Sequence, residues 1–377
     1  MVDAPIHVVF AGGGTAGHLF PGLAVAERLS RLSSTTRITF AGTGKEFERQ
    51  CVDEAGFNYL ALPCGPMSYR PKDAIAFVVR NLAGRMAAKR FVCEELVSVV
   101  VGLGGYASVP MGLAAKNRKL PLVLLEQNAV PGKATRWLAK WADVVCSSFE
   151  QTESKIRSRC PVRVTGNPIR AGFDRQIGKL SVARTPKRRL VVLGGSGGAH
   201  RLNEVVPRAL HKVGSRLAGW DIVHQSGKAE VETTRQIYGK LGVSARVMPF
   251  IDDMPKMLDV AELAISRAGG TTLAELAVTG VPSLLLPYPH ATGNHQRKNA
   301  DHFATSGGCL IFDGRDTDAR LDDTLAKAIA ELLGDGGKRA QMSLAMRHKA
   351  FPKAALEVAA IVRNQVQNQR HRLPMAA

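Results

Sequence analysis

Two glycine-rich loops stand about half a chain apart, and each follows an apolar run that reads as a strand. The first, Gly12–His18 (GGGTAGH), follows Ile6–Ala11 (IHVVFA). The second, Gly194–Ala199 (GGSGGA), follows Leu190–Leu193 (LVVL). Behind each comes a helix-like stretch, PGLAVAERL after the first and HRLNEVVPRAL after the second. A strand, a glycine turn and a helix make one unit of a doubly wound α/β fold. The helix start presents N–H groups and the positive end of its dipole, which suits a phosphate, a diphosphate or a developing oxyanion. Two such units predict two domains facing a shared cleft.

The rest of the pattern agrees. Strand-like runs at Arg37–Ala41, Val97–Val101, Pro121–Leu125 and Val144–Ser147 alternate with helix-like segments such as Gly22–Leu32 and Pro110–Arg118. The second half repeats this, with strands at Asp221–His224, Arg246–Met248, Leu263–Ser266 and Ser283–Leu286. Alternating strands and helices with mostly apolar strands argue for parallel sheets covered on both faces. Glycine and proline in Val164–Arg170 (VTGNPIR) mark a domain boundary. The expected division is a first domain over 1–165, a second over 166–352, and a terminal helix with its tail over 353–377.

A net charge of +19 over 377 residues points to an anionic partner: nucleic acid, an acidic membrane surface or a phosphorylated substrate. Aromatics are 6% and no zinc-finger or RRM-like spacing is present, so nucleic acid is the weakest of the three. The six cysteines are scattered, with no CxxC pair and no metal-ligand spacing to histidine, as expected of thiols in a reducing cytoplasm. The N-terminus lacks a signal-peptide pattern, and no apolar run approaches the roughly 20 residues of a membrane span. Any membrane contact is therefore expected at the surface.

One segment fits a plain sheet-covering helix poorly. Asp73–Arg90 (DAIAFVVRNLAGRMAAKR) mixes Ile75, Phe77, Val78, Val79, Leu82 and Met86 with Arg80, Arg85, Lys89 and Arg90. Met67 and Tyr69 precede it, and Lys116–Lys119 (KNRK) adds a basic cluster. An apolar face ringed by cations fits docking on an anionic bilayer. The competing reading is an amphipathic helix with its apolar face in the core.

The first loop departs from GxGxxG, because His18 takes the last position. A dinucleotide site also wants an acidic residue about 20 positions on, and Ile38–Gly44 offers none before Glu46. Both points weigh against an NAD-dependent oxidoreductase. In the second half, Ser266–Glu275 (SRAGGTTLAE) pairs a glycine turn with capping threonines and a carboxylate one turn into the helix. Such a turn can seat a diphosphate while Glu275 holds a ribose diol; the plainer reading of Glu275 is a solvated helix carboxylate. Asn294, His295 and Gln296 lie just beyond a strand end, where α/β sheets place ligands. Arg170 and Arg267 are candidate cations for a diphosphate.

In order along the chain come GGGTAGHLFPGLAVAERL, VGLGGYASVPMGLAA, PLVLLEQN, VTGNPIR, LGGSGGAHRLN, HQSGK, FIDDM, SRAGGTTLAELAVTGVPSLLLPYP and NHQRKNA. This set closely resembles the bacterial UDP-N-acetylglucosamine:lipid I N-acetylglucosaminyltransferases, the MurG family, over roughly residues 6 to 365. The resemblance implies a GT-B glycosyltransferase fold: two Rossmann-like doubly wound domains, a deep interdomain cleft, and a C-terminal helix crossing back to the first domain. It implies inverting transfer of GlcNAc from UDP-GlcNAc to the MurNAc 4-hydroxyl of lipid I, giving lipid II, at the cytoplasmic face of the bacterial inner membrane. No cofactor or metal is implied, since helix N-termini and basic groups can carry the diphosphate charge. Cell-wall synthesis or division proteins would be partners.

By resemblance the UDP-GlcNAc site comprises Thr15, Ala16, Gly17, Asn128, Arg170, Ser196, Ile251, the Gly270–Glu275 turn (Gly270, Thr271, Thr272, Leu273, Ala274, Glu275) and Gln296. Ile251 would read the uracil edge through its backbone. The acceptor site would comprise Gly14, His18, Gly104, Gly105 and Tyr106. His18 and Glu126 are rival catalytic bases; an imidazole titrates near neutrality, which suits the task. His18 could instead order its loop or bind acceptor diphosphate. Three positions depart from the family pattern. Ala16 replaces a glycine of TGGH, Gly197 replaces the glutamine of GGSQGA, and the loop His290–Gln296 is one residue longer than the family pattern. That extra residue leaves open whether His295 or Gln296 meets the sugar. A GT-B transferase using a UDP-sugar and a different lipid acceptor is the runner-up, and a non-catalytic binder of sugar nucleotides the third reading.

Overall fold

The computed structural model describes residues 5–65, 71–173, 188–195 and 197–372. Ser196, Met67 and Tyr69 therefore lie outside the described residues. The chain divides into two compact units, residues 1–171 with 353–377, and residues 172–352.

The first unit holds seven parallel strands: β1 (His7–Gly12), β2 (Arg37–Gly42), β3 (Asn58–Ala61), β4 (Val99–Gly104), β5 (Leu122–Glu126), β6 (Val144–Ser147) and β7 (Val162–Val164). Their order is β3-β2-β1-β4-β5-β6-β7. Helices α1 (Ala16–Leu32), α2 (Glu46–Glu54), α3 (Pro71–Glu94), α4 (Ser108–Asn117) and α5 (Lys133–Leu138) connect them. Strand side chains alternate between two cores. Val8 and Phe10 join α1 on one face, while Val9 and Ala11 face α3, α4 and α5 on the other. Burial on both faces is why these strands read as continuous apolar runs. The edge strands β3 and β7 go beyond the sequence reading. They are short and only partly buried, so Asn58–Ala61 and Val162–Val164 lack that signature.

The second unit holds six parallel strands: β8 (Arg188–Leu193), β9 (Trp220–Gln225), β10 (Arg246–Met248), β11 (Ala261–Ser266), β12 (Ser283–Leu285) and β13 (Cys309–Ile311), in the order β10-β9-β8-β11-β12-β13. Its helices are α6 (His200–Val213), α7 (Val231–Lys240), α8 (Met254–Asp259), α9 (Gly270–Thr279), α10 (His295–Ala304), α11 (Asp318–Gly334) and α12 (Gly336–His348). Finally α13 (Ala354–Arg372) returns to the first unit. Its Val358, Ala359, Val362 and Val366 are buried in the same core as α1.

Each sheet reverses its strand order once beside its first strand, between β1 and β4 and between β8 and β11. Such switch points open a crevice at the carboxyl ends of the strands, where doubly wound proteins bind ligands. Both glycine loops stand there.

Candidate active site

In the first unit three loops meet at the switch point. The glycine loop leaves β1, Gly104–Tyr106 leaves β4, and Gln127–Asn128 leaves β5. The approach is close enough to require glycine. A Cβ on Gly12 would lie 2.6 Å from the Gly104 carbonyl oxygen, and one on Gly105 would lie 2.8 Å from the Gly13 carbonyl oxygen. Gly104 and Gly105 also hold φ of +90° and +75°, which other residues rarely adopt. His18 sits in the first turn of α1, half-buried, with its ring edge against Gly104: a Cβ there would be 3.0 Å from Cδ2 and 3.2 Å from Nε2. Its Nδ1 pairs with the Thr15 hydroxyl at 2.9 Å, so Thr15 orients the ring instead of capping the helix. Gly14, Thr15 and Gly17 stay accessible, Ala16 is buried, and Tyr106 is half exposed.

Glu126 sits differently. It is buried at the end of β5, where Oε2 accepts from the Gly132 N–H at 2.9 Å and Oε1 from the Asn128 N–H at 3.1 Å. The Asn128 amide, at 3.4 Å, and the Thr135 hydroxyl add further bonds. Burial raises its carboxyl above the ordinary range, and these donors oppose that rise. The carboxylate thus closes its own loop around Asn128. Arg170 lays its guanidinium over Phe20 of α1, 4.6 Å from the ring centroid.

In the second unit the glycine loop abuts the loop after β9. Gly198, at φ +77°, leaves no room for a side chain against Ser226, and the Gln225 amide donates to the Gly195 carbonyl at 2.8 Å. At the end of β11 the turn into α9 is braced by buried Asn299, which donates to the Ala268 carbonyl at 3.1 Å. Gly270 and Thr271 are buried at the start of α9, while Thr272 and Ala274 are partly accessible. Leu273 offers a ligand neither group: its side chain is in the core and its N–H donates to the Gly269 carbonyl. Glu275 is buried at 3% exposure, which removes the reading of a solvated helix carboxylate. Ile251 is buried too, at 2% exposure.

Gln296 accepts from the Tyr288 N–H at 2.9 Å, and His295 bonds the Thr292 carbonyl of its own turn at 3.0 Å. Arg267 departs from the expected role. Its guanidinium donates to the Leu286 carbonyl at 2.9 Å and lies over Tyr288, so it ties two strand ends together. Among the described residues, no group of three or more His, Cys, Asp or Glu could hold a metal ion.

Helix α3 turns its bulky apolar residues away from the core. The stripe facing the core is Gly84, Ala88 and Val92, one helical turn apart. Gly84 is close enough to the Pro63 carbonyl to exclude a side chain. The larger apolar residues point the other way: Ile75, Val78, Val79, Leu82 and Met86 are 54–75% exposed. Arg80, Arg85, Lys89 and Arg90 are exposed among them. The small residue at 84 gives close packing against the Pro63 loop and Pro110 of α4, and the bulky ones are left outward. The expectation of a core-facing apolar face is corrected accordingly. No helix among the described residues is long and apolar enough to cross a membrane.

Family models for the glycosyltransferase family 28 N-terminal and C-terminal domains match residues 8–147 and 189–358. The UDP-N-acetylglucosamine--N-acetylmuramyl-(pentapeptide) pyrophosphoryl-undecaprenol N-acetylglucosamine transferase of Stutzerimonas stutzeri is 37% identical over 353 residues, 93% of this chain and 96% of that one. The protein of the same name from Sorangium cellulosum is 36% identical over 373 residues, 97% and 90% of the two chains. This chain belongs to the MurG family of glycosyltransferases. The crystal structure of Acinetobacter baumannii MurG superposes with a TM-score of 0.73 at 29% identity, covering 96% of this chain and all of that one. The glycosyltransferase of kitacinnamycin, at 16% identity and TM-score 0.69, shares the fold alone. The fold is therefore GT-B, and the chain is a glycosyltransferase.

Membership gives the sequence departures a structural setting. A Cβ at Gly197 would meet nothing within 4 Å, so the glutamine usual there in the family is not excluded by space. Ala16 turns its methyl into α1's buried side. Gln127 and Asn299 stand inside the motifs LLEQN and NHQRKNA. Their neighbours carried the chemistry, and only packing shows which loops they hold. Gln127 donates to the Leu103 carbonyl at 3.2 Å and so ties the β5 loop to the Gly104 turn.

Proposed function

We propose that this protein transfers GlcNAc from UDP-GlcNAc to the MurNAc 4-hydroxyl of undecaprenyl-diphospho-MurNAc-pentapeptide, inverting the anomeric centre and giving lipid II. The observation that carries the reading is identity of 34–37%, across more than nine-tenths of the chain, to enzymes named for that transfer. The half-buried His18 beside Gly104 gives that transfer a base. In this mechanism His18 Nε2 takes the proton of the 4-hydroxyl as that oxygen attacks C1 of GlcNAc. The C1–O bond to the β-phosphate breaks, and UDP leaves with the electron pair. Thr15, bonded to Nδ1, orients the ring for this step. The start of α9 at Gly270–Thr272, with Ser196 and Arg170, balances the charge on the departing diphosphate. Glu275 holds the ribose, Ile251 reads uracil through its backbone, and Gln296 meets the sugar hydroxyls. Asn128 and the Thr15–Gly17 turn complete the donor site, while Gly14, Gly104, Gly105 and Tyr106 receive the acceptor. Glu126 shapes the loop that presents Asn128 and leaves the proton transfer to His18.

The test is incubation of the purified full chain with radiolabelled UDP-GlcNAc and a lipid I analogue, chelator present. A labelled disaccharide lipid with a β linkage is expected. No product, with UDP-GlcNAc still bound, would overturn the acceptor assignment and point to another lipid acceptor of a GT-B enzyme.

The exposed face of α3 fits the anionic surface that holds a lipid-linked acceptor. Its apolar residues would enter the headgroup boundary, and its cations would each contribute about 1 kcal/mol near the surface. Changing Arg80, Arg85 and Lys89 to Glu together is expected to abolish sedimentation with anionic vesicles. Turnover of a soluble lipid I analogue should stay within about twofold of wild type, because none of the three cations is proposed to touch donor, acceptor or His18. Unaltered sedimentation would remove this face from the membrane.

A further inference from the structure

We infer that Glu48 is a positioning residue for the transfer: from the first turn of α2 it fixes the Gly14 peptide and, through Thr15, the ring of His18. The inference rests on the reading of His18 as the base. Glu48 is a carboxylate buried to 1% exposure. Four neutral groups donate to it. Oε1 accepts from the Gly14 N–H and, at 2.8 Å, from the Thr43 hydroxyl. Oε2 accepts from the Thr43 N–H and the Tyr59 hydroxyl, each at 2.7 Å. Burying a carboxylate is costly unless its lone pairs are met, and here they are. Burial, with the bond to Glu48, raises the Tyr59 phenol above its ordinary value, so Tyr59 remains a donor.

The surroundings are shaped to admit this acid. A Cβ on Gly13 would sit 2.6 Å from Oε1, and one on Gly42 would collide with both Oε2 and the Tyr59 hydroxyl. Two glycines therefore keep the position clear. The same helix start also holds the other side of Gly14, since Lys45 Nζ donates to the Gly14 carbonyl at 3.0 Å. The peptides before and after the Gly14 Cα are thus both held from α2, with φ fixed at +89°. The next residue is Thr15, whose hydroxyl meets His18 Nδ1. A structural carboxylate would tie core to core. This one ends on the accessible loop that carries the base.

Glutamine in its place keeps the shape but turns an amide N–H₂ toward donors, which repels the loop. A displacement near 1 Å at the base costs on the order of 100-fold in rate. Glu48→Gln is therefore expected to lower kcat about 30- to 100-fold with KM for UDP-GlcNAc held within about twofold. Thr43→Val, which removes one donor and keeps the fold, should lower kcat about 3- to 10-fold. A readout independent of turnover uses histidine-labelled full-length protein, with His18→Gln for assignment. In wild type the Nδ1 shift of His18 should report its hydrogen bond to the Thr15 hydroxyl. In Glu48→Gln it should move toward the value seen in Thr15→Val, where that bond is lost. Unchanged His18 shifts, or kcat within about threefold of wild type in both variants, would overturn the inference. Should wild type make no disaccharide lipid, the proposed reaction falls, while the His18 shifts still decide the role of Glu48.

Discussion

Replacing His18 with alanine is expected to lower kcat by about 10²- to 10⁴-fold, the range general-base removal usually shows. The dissociation constant for UDP-GlcNAc should move by no more than about twofold, since the ring supplies an interaction made only as the acceptor proton leaves. The geometry supports that split. His18 is anchored through Nδ1 to Thr15, and its other edge lies against Gly104, on the wall the β4 loop provides. Steady-state kinetics with a lipid I analogue, together with donor calorimetry, measure both quantities. Turnover near wild type would transfer the base to another group. Glu126 would then have to leave four local hydrogen bonds to serve, because Gly132, Asn128 and Thr135 already occupy its carboxylate.

Glu275→Ala should act on the other quantity. It is the one charged residue of α9 and is buried beside the glycine turn that begins the helix. Hydrogen bonds to a charged group contribute about 1.5–3 kcal/mol, so losing the ribose contacts should weaken UDP binding by about 10- to 100-fold. In the ternary complex kcat should fall far less than affinity. Calorimetry with UDP checks this directly. An unchanged dissociation constant would contradict the ribose role and leave Glu275 as a carboxylate internal to the second unit. The two substitutions together separate donor binding from proton transfer.

Much of the candidate site was legible because it sits where local rules are strict. The glycine loops, the Gly104–Gly105 turn and the SRAGG turn all need residues that tolerate close approach or positive φ, and glycine announces such needs in the sequence. The residues bracing these loops were not legible. Asn299 and Gln225 look like ordinary loop polars, yet each holds a backbone carbonyl of a glycine turn. Glu48 lies in EFERQCVDE, where nothing local marks which of the charges is buried. Glu46, the first acid after the second strand, is exposed, while Glu48, two residues on, is the carboxylate that the fold buries. Arg267 has a structural partner the sequence did not show. A cation at a strand end invites a phosphate, and here its Nη1 also donates to backbone carbonyls of the neighbouring strand end.

The sequence by itself determined the α/β class, the doubling of the strand–glycine–helix unit, the central strands of both sheets and the family. These follow from periodicity and from glycine, which act over a few residues. Tertiary structure alone decided which polar side chains brace the loops and which face of α3 is left outward. It also decided that short strands such as Asn58–Ala61 complete the sheets. Those outcomes depend on partners distant along the chain. Gly84, Ala88 and Val92 take the inward contact, and the bulky apolar residues that dominate the hydrophobic pattern are exposed as a result.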